Sequence, residues 1–253
     1  MSGAESGEWL AGNSGGAFLV GDTVRRPTGP WTPAVHALLD YLRPRLAGVP
    51  AVLGFDDAGR EVLSYLPGRV IDIHAELLTS AQLRSVARWT RSFHEAVIGF
   101  AHPGPWRFPA IDSPVLVAHN DIGTYNLCFD GDAVAGVFDW DLAAPSSPLM
   151  ELAYLAWHCV PLWQDHGADR AAAGLELIAS AYGSVRAADI LAADILGAVP
   201  QRMQFFLDWI PVAAAAGDAG MARLMANGEP GQSQRYLDQL RLRLPSIAAA
   251  LAG

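Results

Sequence analysis

The chain has 253 residues, enough for one large domain or for two lobes sharing a cleft, and 51% of them are hydrophobic, so a sizeable core is available. A formal net charge of −9 argues against a general nucleic-acid surface, which needs clustered Lys and Arg to neutralise phosphates. The two cysteines, Cys128 and Cys159, sit in apolar runs and read as buried small hydrophobes, with no disulfide or zinc pattern.

In chain order, the opening "MSGAESGEWL" lacks the basic and apolar succession of a secretory leader. A hairpin is expected from "GGAFLV" (15–20) through Gly21-Asp22 into "TVRRP". Thr32-Pro33 then open a helix, with Val35, Leu38, Leu39 and Leu42 on one face. "AVLGF" and "EVLSYL" form a second hairpin about residues 56–59, and Leu66-Pro67-Gly68 marks a lobe boundary. The pattern thus divides into a small strand-rich N-lobe (1–66) and a larger, mainly helical C-lobe (67–253), an α+β architecture.

The C-lobe begins with a helix over "SAQLRSVARWTRSFHEAV", capped by Thr79 or Ser80 and carrying Leu83, Val86, Ala87, Phe93 and Val97 inward. Pro103, Pro105 and Pro109 end that region. About a hundred residues of Ala- and Leu-rich helix close the chain, with "AAAAGDAG" as a loop between helices. The apolar run "FFLDWIPVAAAA" is interrupted by Asp208 and Pro211 and is too short to cross a bilayer. A cytoplasmic protein without membrane or nucleic-acid partners is expected.

Between these helical regions lies "VLVAHNDIGTYNLCFDGDAVAGVFDWD" (115–141). Its apolar runs read as strands, and its polar residues fall at their ends. A hairpin folded about Gly131 would set Asn126 opposite Val137 and so bring Asn126 close to Asp139, with Asp121 one loop upstream of the same end. An amide oxygen and a carboxylate are the few hard ligands that Mg²⁺ takes from protein when water and phosphate supply the rest. A separate carboxylate can orient an attacking hydroxyl and accept its proton.

H-x-D-x-x-x-x-N followed by a hairpin ending in an apolar residue and Asp resembles the aminoglycoside phosphotransferase family, an offshoot of the protein-kinase-like fold. "RRP" resembles that family's phosphate-binding basic position. "SYLPG" resembles its hinge, "SFHEAV" the helix end before the catalytic loop, and "PSSPLMELAYLAW" the helix after the metal Asp. The resemblance implies a bilobal kinase-like fold and transfer of the γ-phosphoryl of ATP or GTP, with Mg²⁺, to a hydroxyl of a small substrate, cationic ones included. Asp121 becomes the base, and Asn126 and Asp139 the metal ligands. His119 becomes a brace for the loop. Arg25 would meet the α- and β-phosphates, with Arg26 as the alternative, and backbone groups of Ser64, Tyr65 and Leu66 would receive the purine. The acceptor stays open among aminoglycosides, macrolides, choline-like amino alcohols and homoserine-like metabolites, with antibiotic resistance one outcome. A pseudokinase-like binding protein is the rival reading.

Four departures from the family pattern stand out. The basic position is Arg where kinases use Lys. The helix after it offers only His36 and Asp40 where an ion-pairing Glu would stand. The glycine stretch "AGNSGGAF" is reduced, though amides of Asn13 to Gly16 could cover phosphates. Glu151 replaces the usual Asp that braces the catalytic loop.

Overall fold

A computed structural model describes residues 8–9, 16–185 and 188–253. The N-terminal part is an antiparallel five-stranded sheet with one helix. Strands β1 (Glu8–Trp9), β2 (Phe18–Val20) and β3 (Thr23–Arg26) are followed by α1 (Thr32–Leu42), β4 (Val52–Phe55) and β5 (Glu61–Ser64), and the sheet order is β1-β2-β3-β5-β4. Pro33 starts α1 where its missing N–H costs no helical bond, and Ala34, Val35, Leu38, Leu39 and Leu42 are buried on one face.

The C-terminal part opens with α2 (Ser80–Ala96). Thr79 accepts a bond from the Gln82 amide and Gln82 answers onto the Thr79 amide, a reciprocal cap that fixes the helix start. Then come β6 (Leu116–Ala118), β7 (Leu127–Asp130), β8 (Ala133–Val137) and β9 (Ala144–Ser146), with β6 pairing β9 and β7 pairing β8. Helices α3 (Pro148–Cys159) and α4 (Ala168–Tyr182) and the short pair β10 (Ser184–Val185) and β11 (Ala188–Asp189) lead to α5 (Ala192–Ala215), α6 (Ala219–Ala226) and α7 (Gly231–Ala252). One continuous core runs from Leu38 and Leu42 of α1 through Leu127 and Val137 of the hairpin to Leu237 and Leu240 of α7.

Pro211 interrupts the apolar run but not the helix, since α5 continues through it to Ala215. The loop expected over "AAAAGDAG" shrinks to residues 216–218, because Asp218 caps α6 by accepting from the Gly220 and Met221 amides. Among the described residues no helix is long and apolar enough to cross a membrane.

The β7–β8 hairpin turns at Gly131, whose φ of 58° suits the first position of a two-residue turn. Asp130 pairs with Ala133 and Phe129 with Val134, but Cys128 then pairs with Gly136. Ala135 is therefore an extra residue, a β-bulge. It moves the register by one, so that Leu127, and not Asn126, stands opposite Val137. The Asn126 carbonyl accepts from the Phe138 amide instead, at 3.0 Å.

Candidate active site

The loop after β6 is held by α3. Glu151 is fully buried, and its two oxygens accept from the amides of His119 (2.6 Å) and Asn120 (2.9 Å). The side chain one methylene longer than Asp thus makes the brace. Asn120 stands at φ 63°, and its amide nitrogen lies 3.2 to 3.3 Å from the carbonyls of Ala118, Leu142 and Ala144. Arg202 of α5 donates to the Asn120 carbonyl at 2.7 Å. Helices and strands on every side fix this loop.

His119 is fully buried, with its ring 4.6 Å from that of Trp140. Its Nε2 meets the Phe138 carbonyl at 3.1 Å, so this nitrogen carries the proton, and Nδ1 accepts from the Asp121 amide at 3.3 Å. Burial pushes its pKa down, so the ring is neutral with both nitrogens engaged. The geometry is that of a brace.

The Asp121 carboxylate faces the cleft. Its Oδ1 accepts from Tyr125 and Tyr154, both at 2.7 Å, and its Oδ2 from Asn126 Nδ2 at 2.9 Å. Burial, then the nearby Asp139 charge, push its pKa up to about 7, against these bonds. Asn126 Nδ2 also donates to the Asp121 carbonyl at 3.0 Å. Both amide protons are so engaged, and the amide oxygen is left for a cation. Asp139, two residues past the end of β8, stands in a left-handed conformation (φ 58°), which few residues other than glycine adopt. An amide oxygen beside a carboxylate, with Asp121 and Asp141 adding negative charge, is an oxygen-only set that fits Mg²⁺.

Across the cleft β3 presents two arginines, which point to opposite sides of the sheet. Arg25 faces Asp56 at 3.9 Å. Arg26 reaches Asp139 Oδ1 at 2.9 Å, contacts Asp141 Oδ1, and is held at Nε by Glu61 of β5 at 2.8 Å. Burial alone would lower the Arg26 pKa, but the carboxylates of Asp141, Asp139 and Glu61 outweigh it and keep the guanidinium charged. The structure brings Arg26 to the site expected of Arg25. It also supplies the missing partner: Glu61 is buried and takes His36 of α1 at 2.7 Å. The glutamate comes from a strand, and the helix contributes a histidine.

The amides of Ser64 and Tyr65 donate to the carbonyls of Ala51 and Asp22, so of their backbone groups the amides are taken up within the N-terminal part. Among the described residues the Leu66 amide donates to no backbone carbonyl. Of the glycine stretch expected over phosphates, residues 13–15 lie outside the described residues.

Asp141 shares its oxygens between lobes. Oδ1 meets Arg26, and Oδ2 meets Arg107 at 3.2 Å. Arg107 forks onto Asp218 at 2.7 and 2.8 Å, and its guanidinium lies 4.6 Å from the Trp31 ring. Sequence reading missed Glu61, Arg107, Tyr125 and Tyr154. Only Tyr125 carried a signal, its place beside Asn126 within the motif.

Residues 105–188 match the model of the phosphotransferase enzyme family APH. A trifolitoxin immunity protein of Rhizobium leguminosarum bv. trifolii is 29% identical over 163 residues, 61% of this chain and 62% of that protein, so the match spans under two thirds of the relative's length. A choline/ethanolamine kinase family protein from Mesorhizobium loti superposes with a TM-score of 0.55 at 19% identity, over 94% of this chain and 93% of the other. The GDP complex of aminoglycoside 2'-phosphotransferase-IIIa gives 0.56 at 15% identity, over 93% and 88%. At such identities the structural likeness establishes the fold, which is the bilobal kinase-like one, as the motif resemblance implied.

Proposed function

We infer that this chain is a small-molecule kinase, which transfers the γ-phosphoryl of ATP or GTP to a substrate hydroxyl. One observation carries the reading: a buried loop and a bulged hairpin bring Asp121, Asn126 and Asp139 to one cleft face, opposite Arg26. Asn126 and Asp139 would hold Mg²⁺, which when bound neutralises charge on the β- and γ-phosphates. Arg26, steadied by Glu61, would turn to the nucleotide phosphates. The Leu66 amide would meet the base. Asp121 Oδ1 would align the acceptor hydroxyl for in-line attack and take its proton, so that most of the acceleration comes from positioning and fixed charge.

The acceptor is a small hydroxylated compound met in the cytoplasm. The likeness to an immunity protein supports an antibiotic-like compound, and the likeness to a choline/ethanolamine kinase family protein supports an amino alcohol. The test is a melting-temperature titration with ATP and GTP, with and without Mg²⁺, followed by turnover on a panel of antibiotics and hydroxylated amines. Asp121→Ala should abolish transfer and keep the nucleotide shift. Full activity in that variant would sink the assignment. A nucleotide shift with no turnover on any acceptor would favour the binding-protein reading.

A further inference from the structure

Three hydroxyl and carboxylate oxygens form a triangle in the cleft. Tyr125 Oη and Tyr154 Oη each lie 2.7 Å from Asp121 Oδ1 and 2.9 Å from one another. Three contacts share two hydroxyl protons, so one contact has no proton, and the phenol that leaves most easily is the one least packed. Tyr154 is 2% exposed on α3, whereas Tyr125 is 43% exposed on the loop. Asp121 Oδ2 accepts from Asn126, and Oδ1 already accepts from both phenols, so a hydroxyl that comes to Oδ1 must displace one of them. Gly123 permits this arrangement: a Cβ there would stand 2.5 Å from Tyr125 Cε1 and 2.6 Å from Cζ, inside the ring's space. Its backbone is extended (φ −121°), so a side chain is excluded by the ring and not by the conformation.

We propose that the Tyr125 phenol fills the acceptor-hydroxyl position at Asp121 until an acceptor displaces it, and so keeps water from attacking the bound nucleotide. This rests on the kinase reading above. Tyr154 stays behind and continues to orient the carboxylate. With the phenol removed, water occupies its place. The water oxygen bonds to the γ-phosphorus, the bridging oxygen leaves on the nucleoside diphosphate, and the proton passes to Asp121.

The test is hydrolysis of Mg²⁺–ATP and Mg²⁺–GTP without acceptor, beside a melting titration with the same nucleotides. Tyr125→Phe removes the hydroxyl and keeps the ring; Gly123→Ala displaces the ring and keeps the hydroxyl. Each should raise hydrolysis about tenfold over the natural chain, a gain that a folding defect cannot produce. Adding Asp121→Asn to Tyr125→Phe should erase the gain. Both variants hydrolysing at the natural rate, while nucleotide still raises their melting temperature, would overturn the proposal and leave the kinase reading standing. No nucleotide shift in any of these proteins would remove the kinase reading, and the proposal with it.

Discussion

Glu151 is buried in α3, yet it positions the loop that carries Asp121. Burial pushes its carboxyl up. Interaction with His94, whose Nε2 stands 3.7 Å away, and the hydrogen bond from the His119 amide together outweigh burial and hold the pKa below the ordinary 4.5. A carboxyl lowered in the fold contributes stability that is fully present above the unfolded value and is lost as pH falls through the folded one. Glu151→Gln turns one amide N–H toward the backbone amides that Glu151 accepts from, so at pH 7 it should lower unfolding free energy by about 2 kcal/mol. The gap between the two proteins should narrow as urea titrations move from pH 6 to below pH 4.5. A gap that stays constant over that range would show that the Glu151 charge does not contribute.

The β7–β8 hairpin is the element on which the proposed metal pair depends, and its bulge marks the limit of what could be read in advance. The motif residues Asp121, Asn126 and Asp139 were legible because residue type and spacing name them. Ala135 was not, because a bulge is set by packing and leaves no mark in a run such as "AVAGV". A Cβ on Gly136, the residue after the bulge, would meet Leu66 Cδ1 at 2.7 Å, so the strand passes close against Leu66. Arg25 and Arg26 were both in view, but which one faces the cleft depends on strand parity, fixed by the pairing of Arg26 with Glu61. Glu61 itself was hidden, since it lies a hairpin away from the helix where a partner was sought. Deleting Ala135 should remove the bulge and restore regular pairing while Leu127 stays opposite Val137, so that Asn126 and Asp139 keep their places. Circular dichroism and the Mg²⁺-dependent part of the nucleotide melting shift should both remain near those of the natural chain, and loss of that shift would show that the bulge itself shapes the site.

At the scale of the molecule, Arg107 ties three regions together: Trp31 ahead of α1, Asp141 two residues after Asp139 and Asp218 at the start of α6. Its side chain is only 7% exposed. Removing one member of such a buried group leaves the other charges without compensation, so Arg107→Met should lower unfolding free energy by about 3 kcal/mol. Chemical denaturation measures this, and the same variant should bind nucleotide more weakly, because Asp141 then leans on Arg26 alone. The Arg26–Asp139 contact has a consequence of its own. A metal arriving alone would take Asp139 from Arg26 and leave the guanidinium to Asp141 and Glu61; a metal-free nucleotide would take Arg26 from Asp139 with no cation in exchange. Only the two together exchange every partner for a new one. On the proposed assignment the cleft behaves as a lock with two keys, closed to either ion of the pair and open to their complex.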